Sequence, residues 1–144
     1  ILKGYRAGIL ICYEVAFKEI AFSSLPEAGF LVNVSNDAWF GDTKAPFQHL
    51  QIVRARALES GRSIVRATNT GITAFIDYRG QVVKRAPQFS SVVLKHTVSI
   101  RGGITPYVRY GDFPILFFSV LVIFIYSVFV FYQPEANKFY KAAS

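Results

Sequence analysis

From Phe113 to Gln133 no side chain carries a formal charge. The run FPILFFSVLVIFIYSVFVFY supplies about 20 residues, enough to cross roughly 30 Å of hydrocarbon as a helix. A buried core helix of that length needs a polar stripe, and Ser119, Tyr126 and Ser127 do not make one. A membrane-spanning helix is therefore expected over residues 113–133, with Asp112 and Pro114 at its start and Tyr126 and Tyr132 toward an interface. Arg101 and Arg109 precede the run and Lys138 and Lys141 follow it, a bias too weak to set orientation by counting.

The rest of the sequence has the length of one ordinary domain. GILICY (8–13) is a short continuous apolar run, which suits a strand buried on both faces. VAFKEIAFSS (15–24) reads as a short helix stopped by Pro26, and FLVNVSN (30–36) as the next strand. From Pro46 to Ser60 the positions Phe47, Leu50, Val53, Ala57 and Leu58 recur at helical spacing, with Thr43 as cap and Gly61 as stop. SIVRAT (63–68), ITAFID (72–77), QVVKRA (81–86) and SVVLKHTVS (91–99) are β-rich, with YRG (78–80) a hairpin turn. Strand, helix, strand, helix and then several strands define an α/β layered domain.

The net charge of +7 is spread from Lys3 to Lys141, with no basic run longer than Lys84-Arg85. That is a dispersed solvated surface, not a nucleic-acid patch, and it suits a neighbouring anionic bilayer. The single cysteine, Cys12, excludes an internal disulfide and leaves no recognisable zinc site. No glycine loop of the phosphate-cradling kind occurs, so neither metal, nucleotide nor organic cofactor is expected. The chain begins at Ile1 and contains no methionine, and is expected to be the C-terminal part of something longer.

Cys12 ends an apolar run, directly before Tyr13 and Glu14. A thiol reacts as its thiolate, and a cysteine between a strand end and the first turn of a helix meets unpaired N–H groups that favour the anion. Taken alone, a cysteine in such a run reads first as a small packing residue.

Three motifs in order carry a more specific resemblance. GILICYEVAF resembles the nucleophile segment of the nitrilase superfamily, where a strand ends in Cys-Tyr-Asp/Glu. VSNDAWFGDTKAPFQHLQIVRARALESGRSIVRATNTGITAFID, and GGITPYVRYGD ahead of the final apolar run, resemble the apolipoprotein N-acyltransferase family of bacterial inner membranes more narrowly. The resemblance covers the chain from about Tyr5 to Tyr132. It implies the C-terminal half of a nitrilase-like α/β/β/α sandwich over residues 1–100, a juxtamembrane connector over 101–112, the spanning helix over 113–133 and a short tail over 134–144. It also implies a catalytic domain in the periplasm and a multi-pass inner-membrane protein.

The implied chemistry is a two-stage transfer, in which a phospholipid acyl chain passes to Cys12 as a thioester and then to the α-amine of a diacylglyceryl-cysteine apolipoprotein. Splitting the transfer replaces one difficult attack by two easier ones. By the same resemblance Cys12 is the nucleophile, the Tyr13 N–H the oxyanion donor and Glu14 an orienting group, with a simple helix-capping role as Glu14's alternative. Nitrilase-like sites also use a glutamate base and a lysine upstream of the cysteine. Only eleven residues precede Cys12, none of them a glutamate, and Lys3 lies too close to match, so this 144-residue chain is expected to be inactive alone.

Trp39 and Phe40, on the SNDAWFG loop, either line an acyl or headgroup path or pack into the core. Asn36 and Asp37 are expected to shape that turn. His49 is expected to make a structural hydrogen bond and His96 to sit on a surface strand. Arg54, Arg56, Glu59 and Arg62 read as a charged helix face with pairing between positions 56 and 59. Arg66 and Asn69 fall in RATNTGIT, a nitrilase-like stretch whose loop is expected near the cysteine, and Tyr107 and Tyr110 are placed at headgroup level. Two other readings are a membrane-anchored nitrilase-like amidohydrolase, which gives its thioester to water, and a non-catalytic, membrane-tethered remnant.

Overall fold

In the computed structural model, which describes residues 4–142 and their side chains as far as Tyr132, the chain divides between Arg109 and Tyr110 into two units. The first is built on one five-stranded sheet: β1 (Arg6–Ile11), β2 (Ala28–Ser35), β3 (Ile64–Thr68), β4 (Ala74–Ile76) and β5 (Val82–Arg85), in that spatial order. β1, β2 and β3 are parallel, and β4 and β5 add antiparallel. Between the parallel strands run a 3-10 helix (Cys12–Ala16), α1 (Lys18–Phe22), a second 3-10 turn (Ala38–Phe40) and α2 (Ala45–Ser60). The segment expected as one helix over 15–24 is thus two, separated at Phe17, whose backbone is extended.

Successive right-handed crossovers that step the same way across a sheet put their helices on one face. The burial pattern follows from that. Leu10, Leu31, Ile64, Ala74 and Ile76 point to the helical side and form one core with Val15, Ala21, Leu50, Val53 and Ala57. Burying each large aliphatic side chain there contributes about 1.5–3 kcal/mol. The opposite face carries Ile9, Val32, Val65 and Phe75 in one register row, and Ile11, Val34 and Ala67 in the next. Ile9 and Ile11 are 60% and 64% exposed. The expectation that 8–13 is covered on both faces is therefore not met within the described residues: β1 alternates, and only its helical side is buried.

α2 is the helix its spacing predicts, although of the five apolar positions Phe47 and Leu58 are exposed. Lys44 is its N-cap, with Thr43 Oγ1 accepting the Ala45 N–H at 3.3 Å. At the other end Gly61 adopts φ +63°, where a side chain is disfavoured, and its N–H returns to the last turn. The expected hairpin turn is present, with Gly80 at φ +75° and its N–H donating to the Asp77 carbonyl.

Residues 91–99 form no strand, contrary to their β-rich pattern. Val92 and Val93 lie exposed, so alternation there buries nothing. His96 is exposed on this irregular segment, its ring 5.4 Å from that of Phe75. Arg62, expected on a charged helix face, lies just past α2 and is 2% exposed.

α3 (Pro106–Tyr110) follows, with Tyr107 edge-on to Phe22. The second unit holds α4 (Phe113–Ala142), which runs on over residues expected as a tail. Its segment Phe113–Tyr132 is, by length and composition, apolar enough to cross a membrane, and none of it is buried.

Candidate active site

Because β1, β2 and β3 are parallel, their carboxyl ends lie along one edge, the edge where open α/β sheets hold ligands. Cys12 follows β1 there, Asn36 follows β2 and Asn69 follows β3. The cysteine is half-buried, not sealed into the core, and adopts φ +53°. A side chain in that conformation costs on the order of 1–2 kcal/mol.

What holds Cys12 there is a polar cluster on the helical side of β2 and β3. Asn33 Nδ2 donates to the carbonyls of Leu10 at 3.2 Å and Cys12 at 3.1 Å, so both sides of the strand end are gripped by one amide. Asn33 Oδ1 accepts from Arg66 Nη1. Arg66 Nη2 donates to Asp37 Oδ2 at 2.8 Å and lies 3.1 Å from His49 Nδ1. Ser35 Oγ closes the cluster, 2.6 Å from Asp37 Oδ1 and 3.5 Å from Cys12 Sγ. Asn33, Asp37 and Arg66 are each at most 1% exposed.

Such a cluster is stable only because its charges pair. Burial pulls the Arg66 pKa down, against Asp37, which favours the cation through charge and hydrogen bond, and Cys12 acts in the same direction. Arg66 Nε has no partner among the described residues. Burial, with Arg66 nearby, holds the His49 pKa below its ordinary 6.5, against the opposing pull of Asp37 and the Cys12 carbonyl. His49 Nδ1 faces both a donor, Arg66 Nη2, and an acceptor, Asp37 Oδ1 at 3.4 Å, and its tautomer selects between them, while Nε2 has no hydrogen-bond partner among the described residues. His49 thus supports the site from below, with its ring 5.7 Å from that of Tyr13.

Glu14 Oε2 accepts the Ile11 N–H at 2.7 Å, so the carboxylate folds back onto the end of β1. The helix it caps begins at Cys12, not near Val15. Arg56 secures the far end of that helix by donating to the Val15 carbonyl at 3.1 Å, and its guanidinium also pairs with Glu59. Tyr13 is the second residue of the 3-10 helix, and the first N–H groups of a helix have no intrahelical acceptor.

The loops after β2 and β3 are stitched together. Asn69 Oδ1 accepts the Asp37 N–H at 3.0 Å and Asn69 Nδ2 donates to Asn36 Oδ1 at 2.6 Å. Asn36 Oδ1 also accepts the Ala38 N–H, so Asn36 shapes the turn as expected, whereas the Asp37 side chain turns inward to Arg66, Ser35 and His49. A Cβ at Gly71 would come within 2.1 Å of Asp37 Oδ2, which ties that glycine to the carboxylate's position. Trp39 is 83% exposed, with its indole N–H on the Asn36 carbonyl, and Phe40 is half-buried, 6.4 Å from His49 ring to ring. The structure therefore brings Cys12, Tyr13 and Glu14 onto one turn, places Asn69 in the neighbouring loop, and leaves Trp39 outside the core. Asn33 and Ser35 were not anticipated; the signal for them is two polar side chains at alternate positions on the buried face of FLVNVSN. Among the described residues, no group of histidine, cysteine and carboxylate side chains is placed to hold a metal.

A strand-end cysteine at positive φ, at the carboxyl ends of the parallel strands of a mixed sheet with helices behind it, fits the carbon–nitrogen hydrolase family, whose profile matches residues 2–102; the chain belongs to that family. Within it, the chain is similar to the apolipoprotein N-acyltransferase of Nitrosomonas europaea, 52% identical over 111 residues, 77% of this chain and 22% of the relative. The enzyme of that name from Photobacterium profundum is 44% identical over 82% of this chain and 23% of its own. That of Haemophilus influenzae is 42% identical over 88% and 24%. The chain thus spans less than a quarter of the length of these curated relatives.

Proposed function

We propose that the chain is the C-terminal part of an apolipoprotein N-acyltransferase, with Cys12 as the nucleophile that carries the acyl chain. The observation that supports this most directly is the hold on Cys12: a strained backbone with its carbonyl on Asn33 and its sulfur beside Ser35, at the open edge of the sheet. Storing strain at a half-exposed thiol has no packing purpose. In this reading Sγ attacks the ester carbonyl of a phospholipid, the tetrahedral oxyanion is received by the Tyr13 N–H, and the lysophospholipid alcohol leaves with a proton. The free α-amine of a diacylglyceryl-cysteine apolipoprotein then attacks the thioester, and Sγ is released.

Glu14 orients the turn through its bond to Ile11 N–H, and Trp39 with Phe40 borders the path of the lipid, with Asn69 holding their loop. The open face around Ile9, Ile11 and Val34 is where the second sheet of the sandwich packs, brought by an upstream half that also carries the glutamate and lysine. The apolar helix sits in the bacterial inner membrane, with the sheet domain in the periplasm. The names of the relatives support transfer to an amine over release to water.

The test is acyl transfer from phospholipid to a diacylglyceryl-cysteine peptide by the full-length protein in detergent. Cys12→Ala is expected to abolish transfer and the acyl-enzyme band, and the 144-residue chain alone to be inactive. Transfer surviving Cys12→Ala overturns the assignment. Labelling of a cysteine introduced at position 140 from outside intact cells contradicts the orientation.

A further inference from the structure

Ser35 has one hydroxyl proton and two partners. Its Oγ is 2.6 Å from Asp37 Oδ1, a short bond to a buried carboxylate, and 3.5 Å from Cys12 Sγ, within reach of a longer sulfur hydrogen bond. A hydroxyl can accept while it donates, so with the thiol neutral the proton of Ser35 belongs to Asp37 and a lone pair faces the S–H. Once the thiol proton has left, that arrangement points a lone pair at an anion. Rotation of the hydroxyl about its C–O bond reverses it.

We infer that Ser35 is a catalytic residue whose hydroxyl switches from Asp37 to Cys12 Sγ when the thiolate forms. No proton passes through Ser35 in this step: the S–H bond breaks, its proton goes to a general base, and the Ser35 O–H merely exchanges one acceptor for another. In alkylation the base is solvent; in the acyl transfer proposed above it is a carboxylate. The switch is feasible because Asp37 does not lose its only partner. Arg66 Nη2 stays at 2.8 Å from Oδ2, and the Asp37 N–H is separately tied to Asn69. Arg66 and Asp37 are therefore positioning residues, acting on the sulfur through Ser35. The ionisable groups around this hydroxyl are Asp37, Arg66 and His49 behind it, with Tyr13 and Glu14 on the cysteine's own turn, and Glu14 is engaged by Ile11.

The inference rests on Cys12 being the nucleophile, but its test does not require acyl transfer. The rate of iodoacetamide labelling is measured against pH on the full-length protein, with Cys12→Ala as background. For Ser35→Ala the labelling rate at neutral pH is expected to fall about tenfold, the scale of one hydrogen bond to an ion, and the profile to move toward higher pH. Ser35→Thr, which keeps the hydroxyl, recovers most of the rate. A Ser35→Ala profile that overlies the parent's overturns the inference and leaves the acyltransferase reading standing. Acyl transfer that survives Cys12→Ala overturns that reading instead, with the labelling result still interpretable. Should Ser35→Ala not fold, the infrared S–H stretch of the parent, taken as a difference from Cys12→Ala, decides: a band shifted down by hydrogen bonding is expected, and a band at the free-thiol frequency sinks the switch.

Discussion

Arg66 donates through Nη2 to the Asp37 carboxylate over 2.8 Å, and solvent reaches neither side chain. Removing the guanidinium leaves a buried carboxylate without its cation and the Asn33 amide without its donor. Arg66→Met is expected to destabilise the domain by about 3–5 kcal/mol, the usual cost of breaking a buried pair from one side. Arg66→Lys restores only part of it, since one ammonium cannot bridge Asn33 and Asp37 as a guanidinium does. Denaturant unfolding of the purified protein measures both; full recovery by lysine contradicts the bridging role.

The backbone at Cys12 predicts an unusual order of stability between two small substitutions. Alanine there keeps a strain of about 1–2 kcal/mol at φ +53°. Glycine removes it but loses about 0.4–1 kcal/mol through the entropy of the unfolded chain. Cys12→Gly should therefore be the more stable of the two by about 0.5–1 kcal/mol, the reverse of the ranking in an ordinary strand or helix. Thermal unfolding of the pair checks this, and a more stable alanine variant rules out the strained turn.

His49 sets a pH dependence. Its pKa in the folded protein lies below the ordinary 6.5, chiefly through burial, so below about 6.5 the unfolded chain binds the proton the folded one refuses. Stability should thus decline as pH falls from about 6.5 toward the folded-state pKa, beyond which the loss from this group is complete. Asp37 and Arg66 are the charged groups that face the ring. Melting temperatures of the parent and His49→Gln between pH 7 and 5 are the measurement, with the slope expected to flatten in the variant. Parallel slopes would remove His49 as the cause.

Local patterns revealed the elements whose stability is local. α2 is legible because Leu50, Val53 and Ala57 recur at the period of the helix, and the apolar run at 113–132 because a long uncharged stretch permits little else. SVVLKHTVS misleads for the complementary reason: β-branched residues fit a strand only where an edge receives them, and Val93 meets solvent instead. The turn around Cys12 could be placed from its motif, but its supports could not. Asn33 reaches Leu10 across 23 positions and Arg66 across 33, and only the parallel pairing of β1, β2 and β3 brings those three together. Arg62 escapes a local reading for a similar reason, since four of the five carbonyls its side chain meets lie 34 to 41 positions away.

Among the described residues, the side chain of that last arginine grips only main-chain oxygens: Ala28 at 2.7 Å, Gly103 at 2.7 Å, and more loosely Pro26, Ser60 and Gly102. A clasp that reads carbonyls is blind to side chains, so spelling can drift without loosening it wherever backbone and packing allow, as at Gly102, though not at Gly103 with its φ of +83° or at the buried Ala28. Length cannot drift in the same way. The Arg101 N–H meets the Gly29 carbonyl at 3.0 Å, so a residue inserted or deleted directly beside either of them would carry the neighbouring oxygens out of the guanidinium's reach.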